Sequence, residues 1–307
     1  MSSSHKTSEK QVIIVVLGPT ASGKSDLAVR LAKTFNGEVV SADSRQVYRG
    51  MDIGTGTITK KEMRGIPHHL LSVASPKKTF DVAQWKEKAD TAIADIIQRG
   101  KLPIVCGGTG LYIKALVENI AYPDVPPDWK LRATLEKKTT KQLFALLKKL
   151  DPARATTIDP HNPRRLIRAI EIVKHTGKTV PEKKAEPIYD ALLLGVKKSD
   201  AELKKRIRAR LLARMKKGMV KEAKKLHERG VSWKRMEQLG LEYKYLALFL
   251  QKKMDRRTMI ETLETKIGQY AKRQMTWFRA MHDIVWIASE KEAKNKTREF
   301  LDKALTR

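Results

Sequence analysis

One cysteine, Cys106, stands in 307 residues. A single thiol builds neither a disulfide framework nor a cysteine-based zinc site, and its place at the end of the apolar stretch LPIVC assigns it to the core. No apolar run reaches the ~18 residues that a membrane-spanning helix needs. The opening MSSSHKTSEK lacks the apolar centre of a secretory signal. No membrane role is expected, and a cytoplasmic location is. Acidic residues are also scarce: 34 Asp and Glu face 63 Lys and Arg, a formal net charge of +29. That excess favours a polyanionic partner, nucleic acid first, held in a salt-dependent way. Hydrophobic residues make up 41% of the chain, enough for a substantial core.

Strand and helix signals alternate over the first 120 residues. VIIVVL (12–17) is a continuous apolar run suited to a strand buried on both faces. Residues 24–35 repeat apolar positions at Leu27, Leu31 and Phe35, a helical period. GEVVSADS (37–44) and LPIVCGGTG (102–110) read as further strands, with helices at 80–100 and 111–120. This order predicts an α/β fold, a parallel sheet flanked by helices. AYPDVPPDW (121–129) breaks the pattern with three prolines. Basic helices follow, one across 129–150 and one across 162–178. A strand at 191–196, helices over 199–228, 235–252 and 255–280, and a strand at 283–288 close the chain. The expected division is a core of 10–119 and 188–290, a helical insertion of 120–187, and polar or basic tails at 1–9 and 291–307, the second helical or frayed.

GPTASGKS (18–25) fits G-x-x-x-x-G-K-[ST] between a strand and a helix. Gly18 and Gly23 let the backbone turn so that successive N–H groups, those of Thr20, Ala21 and Ser22 among them, face an anion. Lys24 adds a cation, and the Ser25 hydroxyl is the expected Mg²⁺ ligand. The motif does not say whose phosphates are held. LPIVC ends in Gly107-Gly108-Thr109 rather than an acid, which weakens a nucleotide-hydrolysing or kinase reading. Asp43 falls at another strand end, where open α/β sheets bind ligands, and is a candidate general base. Ser44, Arg45 and Gln46 follow it. Adjacent His68 and His69 point to opposite faces of a strand, so a structural role is expected.

GPTASGKS, ADSRQVYRGMDIGT, PHHLLSV, GGTGLYIKAL, RRLIRAIEIVKHTGK and AKRQMTWFR resemble, in order and spacing, the tRNA dimethylallyltransferases (tRNA isopentenyltransferases), across about 12–287. The resemblance implies a P-loop-like core and transfer of a dimethylallyl group from dimethylallyl diphosphate to N6 of the adenosine 3′ to the anticodon, with Mg²⁺. It implies Asp43 as base, Thr109 beside the leaving phosphate oxygen, and Lys24 as an electrostatic catalyst. Arg206 and Arg210, in KKRIRAR, would help hold the diphosphate. Asp43, Ser44, Arg45, Gln46, Arg132, Arg164, Arg165, Arg168, Lys272, Arg273 and Gln274 would contact tRNA, and Trp277 would stack on a base or join the core. LGLEYKYLAL (239–248) and IGQ (267–269) depart from the family pattern. The zinc finger of eukaryotic members is missing, so a bacterial-type enzyme, acting as a monomer, is expected. An adenylate prenyltransferase and a small-molecule kinase are the alternatives; the helical insertion and the charge argue against the first.

Overall fold

The computed structural model describes residues 10–123, 125–179 and 185–306, which fall into two compact units. The first unit comprises the residues up to Asn119 and those from Glu186. It holds β1 (Gln11–Leu17), α1 (Lys24–Thr34), β2 (Gly37–Ser41), α2 (Asp52–Thr55), α3 (Lys60–Met63), β3 (His68–His69), α4 (Val82–Gln98), β4 (Leu102–Gly107) and α5 (Gly110–Val117). The second unit, 120–185, holds α6 (Trp129–Leu135), α7 (Thr140–Leu150), α8 (Pro152–Thr157) and α9 (Pro163–Thr176). The first unit resumes with β5 (Tyr189–Val196), α10 (Asp200–Lys216), α11 (Met219–Glu228), α12 (Trp233–Gln238), α13 (Leu241–Leu250), α14 (Arg256–Arg279), β6 (Ile284–Ile287) and α15 (Glu290–Leu305).

The six strands run in the order β3-β2-β4-β1-β5-β6, every neighbouring pair parallel. Side chains alternate across a strand, and β1 shows the consequence. Ile13, Val15 and Leu17 enter the larger core with α4, α5 and α14, while Ile14 and Val16 enter a smaller one with α1 and α15. Both faces are covered, which is why VIIVVL is apolar throughout. The order puts the end of β4 between the ends of β1 and β2. The phosphate loop and Asp43 therefore flank one strand, about 10 Å apart by strand spacing.

Several expected elements differ in extent. The helix expected over 129–150 is two, because Thr139 caps α7 with Gln142 in a reciprocal pair. Helix 199–228 breaks at Gly218, whose φ of +97° ends α10 and starts α11. Gly240 likewise divides 235–252 into α12 and α13. Glu186 and Pro187 lie with the first unit, where Asn119 Nδ2 donates to the Glu186 carbonyl at 2.8 Å. The basic segment at 291–307, expected to be helical or frayed, is helical through Leu305 in α15. Ala293 and Thr297 of that helix are buried and Glu290 pairs with Arg30 at 2.6 Å, because the sheet needs that face covered. The tail at 1–9 lies outside the described residues.

His69 Nε2 meets Glu38 Oε2 at 2.7 Å, and His68 Nδ1 meets the Ile66 carbonyl at 2.9 Å, so both histidines are structural. Glu38 is buried and also receives Arg99 and Lys101. In the second unit, buried Glu171 accepts two bonds from Arg132 and one from Arg168, and joins α6 to α9.

Candidate active site

The phosphate loop leaves β1 at Gly18, whose φ is +152°. A Cβ there would stand 2.7 Å from the Val196 carbonyl of β5 and 3.1 Å from Ser22 Oγ. Gly23 caps α1 at φ +99° with no side-chain cap, so the first N–H groups of α1 remain available to an anion. Ser22 Oγ is buried and lacks a hydrogen-bond partner among the described residues. A buried hydroxyl without a partner is costly, and a phosphate oxygen would satisfy it. Lys24 is half-buried, with Nζ 3.2 Å from the Pro19 carbonyl. Burial lowers its pKa below the ordinary lysine value; Cys106 and Asp43 oppose the shift and Arg210 adds to it. Asp43 is thus close enough to act on the loop's cation. Ser25 is exposed at the head of α1.

Loop and carboxylate are joined by a relay through the end of β4. The Thr20 N–H donates to Gln274 Oε1 at 2.8 Å, and Gln274 Nε2 donates to the Gly108 carbonyl at 2.8 Å. The Thr109 N–H donates to the Ala42 carbonyl at 3.2 Å, and the Ser44 N–H donates to Thr109 Oγ1 at 2.9 Å. Accepting from Ser44 leaves the Thr109 hydroxyl proton free to point elsewhere. Asp43 Oδ1 accepts from the Arg45 N–H at 2.8 Å, which orients the carboxylate and leaves Oδ2 without a hydrogen bond among the described residues. The Gly-Gly-Thr-Gly run follows from this packing. A Cβ on Gly107, Gly108 or Gly110 would meet the Ala42 carbonyl, the Gln274 amide or the Trp277 indole, respectively.

Helix α10 supplies a row of arginines at four-residue spacing, on one helix face. Arg206 Nη1 lies 3.5 Å from where a Gly23 Cβ would be, and Arg210 Nη2 3.3 Å from that position at Gly56. Solvent reaches Arg210, yet desolvation by the surrounding protein, then Arg214, lowers its pKa. Arg210 has no ion pair or hydrogen bond among the described residues, a cation left for an anionic ligand. Arg214 instead holds the Gly54 carbonyl and Glu242. Glu222 accepts the N–H groups of Ile53 and Gly54 at 2.8 Å each and the Tyr243 hydroxyl at 2.6 Å. The Asp52–Thr55 turn is thereby tied to α11 and α13. Cys106, under the loop, has its thiol pushed up to about 11 by burial and serves the core as expected.

Of the residues expected to meet tRNA, Asp43, Ser44, Arg45 and Gln46 line one loop after β2, and Lys272 and Arg273 are exposed on α14. Arg164 and Arg165 are exposed on α9. Gln274 departs from expectation, and others of these residues are engaged within the protein. Gln274 is buried with both amide ends engaged inside the protein. Trp277 packs against the core and Gly110. Arg132 and Arg168 are held by Glu171, which leaves them less free than Arg164 and Arg165. The Thr20 N–H is also taken, by Gln274, so Thr20 offers no backbone donor to a phosphate. Tyr112 and Tyr270 were not singled out from sequence. Tyr112 stacks on Trp85 at 4.6 Å, and Trp85 Nε1 holds the Ser41 carbonyl at the end of β2. Tyr270 lies near Asp43, and burial, then Asp43, raises its pKa. No sequence signal separates these tyrosines from others in the core.

A cleft of about 1010 Å³ lies between α10 and α14, with Leu203, Ile207, Met275 and Lys272 in its walls. None of residues 18–25 lines it. No helix among the described residues is long and apolar enough to cross a membrane.

The family model described as IPP transferase matches residues 46–281. A tRNA dimethylallyltransferase 1 of Syntrophus aciditrophicus is 43% identical over 286 residues, 91% of this chain and 94% of that protein. The tRNA dimethylallyltransferase of Shouchella clausii is 40% identical, covering 95% and 96%. The crystal structure of the full-length tRNA isopentenylpyrophosphate transferase of Bacillus halodurans aligns over 97% of this chain and 99% of its own, with a TM-score of 0.73 and 36% identity. A eukaryotic dimethylallyltransferase solved acting on tRNA aligns over 90% and 73%, with a TM-score of 0.79 and 31% identity.

Proposed function

The chain belongs to the IPP transferase family and is an enzyme of tRNA prenylation, and we propose that its phosphate loop and Asp43 divide that reaction between them. The donor is dimethylallyl diphosphate and the acceptor is N6 of the adenosine 3′ to the anticodon. The diphosphate rests on the N–H groups at the head of α1, on Ser22 and on Lys24, with Arg206 and Arg210 closing over it from α10. The adenine enters from the Asp43 side. N6 attacks the allylic carbon, the carbon–oxygen bond breaks, and its electron pair leaves on the diphosphate. Asp43 Oδ2 takes the N6 proton. An exocyclic purine amine is a weak nucleophile, and a carboxylate at its proton raises electron density as the new bond forms. Lys24 and the Thr109 hydroxyl stabilise the charge that grows on the leaving oxygen.

Three observations fit a diphosphate bound with Mg²⁺: the buried Ser22 hydroxyl without a partner, the uncapped head of α1 and the exposed Ser25 at that head. Mg²⁺ commonly takes most of its ligands from substrate phosphates and water, so it needs little from the protein. Ser25 would hold it, and when bound it would neutralise charge on the leaving diphosphate. In the second unit, Arg164 and Arg165 offer phosphate contacts. The protein acts as a monomer in the cytoplasm.

The observation that carries this reading is the relay from Thr20 through Gln274, Gly108 and Thr109 to Ser44. It fixes the anion cradle and the carboxylate on either side of one strand. Protein, Mg²⁺, labelled dimethylallyl diphosphate and tRNA should yield labelled tRNA. Label on free adenosine monophosphate instead would favour an adenylate prenyltransferase.

A further inference from the structure

A second cationic groove lies on the first unit, beyond the arginine row. It encloses about 240 Å³ between α11 and the backbone at Gly50 and Ile53. Lys221, Lys225 and Arg229 line it at four-residue spacing, so one face of α11 and its C-cap present three successive cations. All three are exposed, and none has an ion pair or side-chain hydrogen bond among the described residues. The outer face of the same helix differs, for there Lys224 pairs with Glu228 at 3.8 Å. The carboxylate that lines the groove, Glu222, is held by Ile53, Gly54 and Tyr243 and forms no ion pair with the three cations among the described residues. Gly50, at the edge of the groove, takes a φ of +73°. A Cβ there would stand 3.6 Å from Leu226 Cδ2 and 3.9 Å from Arg229 Nη1.

From this arrangement we infer that Lys221, Lys225 and Arg229 form a track for the phosphates of the RNA strand flanking the target adenosine. The inference rests on the tRNA-prenylation reading. Like charges four apart on a helix repel and weaken it, so the row is a standing cost that a polyanion relieves. Four residues of helix rise ~6 Å, a step comparable with the spacing of phosphates in a stretched strand. Gly50 and Ile53 of α2 follow in sequence the loop that carries Asp43 to Gln46, so a strand leaving the adenine site along that segment meets the groove.

The test compares Lys221→Gln/Lys225→Gln/Arg229→Gln with a control, Lys291→Gln/Arg298→Gln/Lys303→Gln, which removes three exposed cations from α15. Calorimetric affinity for dimethylallyl diphosphate certifies the fold of each. The α11 variant should bind tRNA at least tenfold more weakly at moderate salt. Its plot of log affinity against log salt should be shallower by about 2, since each single-strand phosphate contact contributes about 0.7. The control should keep the wild-type slope. An α11 variant with wild-type tRNA affinity and slope overturns the inference and leaves the prenylation reading intact, provided the wild type labels tRNA. A wild type that fails to label tRNA overturns both.

Discussion

Gln274→Leu tests the joint that holds the two halves of the site together. The substitution keeps roughly the same volume but removes one acceptor and one donor, those serving the Thr20 N–H and the Gly108 carbonyl. Each bond contributes about 1 kcal/mol net, and a buried group left without a partner costs about 1–3 kcal/mol. Thr20 is half-exposed and can regain water, whereas Gly108 is buried and cannot. The sum is about 2–4 kcal/mol. In a chain of this size that lowers the thermal midpoint by roughly 3–6 °C. If part of the loss falls on the alignment of loop and carboxylate, kcat/KM for the donor drops about 10–100-fold, at ~1.4 kcal/mol per tenfold. Scanning calorimetry and steady-state kinetics with varied donor and varied tRNA make the test. A variant with an unchanged midpoint and a raised KM for tRNA alone would refute this reasoning and return Gln274 to the RNA surface.

Asp43→Asn keeps an oxygen for the Arg45 N–H but removes the proposed base, so donor affinity should persist while kcat falls about 10²–10⁴-fold in single-turnover assays. Gly110→Ala drives a methyl into the Trp277 indole and should cost about 1–3 kcal/mol, read as a lower thermal midpoint. Glu38 is held below the ordinary glutamate range by Arg99, against burial, with Lys101 and His69 assisting. Because the folded pKa is the lower one, this stabilisation is complete above the unfolded value of about 4.3 and drains away as pH falls through and below it. Glu38→Gln should flatten that acid limb in midpoint-against-pH profiles. Burial lowers the Lys24 pKa, so diphosphate affinity should weaken with rising pH before the ordinary lysine value of about 10.4 is reached, and Lys24→Arg should move the decline upward.

The sheet was legible because its central strands are buried on both faces and must be apolar without interruption, as VIIVVL is. The phosphate loop was legible because its backbone tolerates few residues other than glycine at Gly18 and Gly23. Asp43 showed through its place at a strand end. Gln274 misled, since a polar side chain on a basic helix reads the same whether it faces solvent or closes a joint. Only its partners, distant in sequence, decide. The C-terminal helix α15 was half legible: the segment reads as helical or frayed, and its most buried positions, Ala293 and Thr297, are small and leave little hydrophobic signal. The helix breaks at Gly218 and Gly240 needed backbone angles that spacing does not carry.

The most direct test is nucleoside mass analysis of tRNA incubated with Mg²⁺, dimethylallyl diphosphate and either the wild-type protein or Asp43→Asn. The account predicts N6-dimethylallyl adenosine next to the anticodon with the first and almost none with the second, while both bind the donor equally. Full modification by the variant would contradict the role of the carboxylate, and unmodified tRNA with the wild type would contradict the function itself.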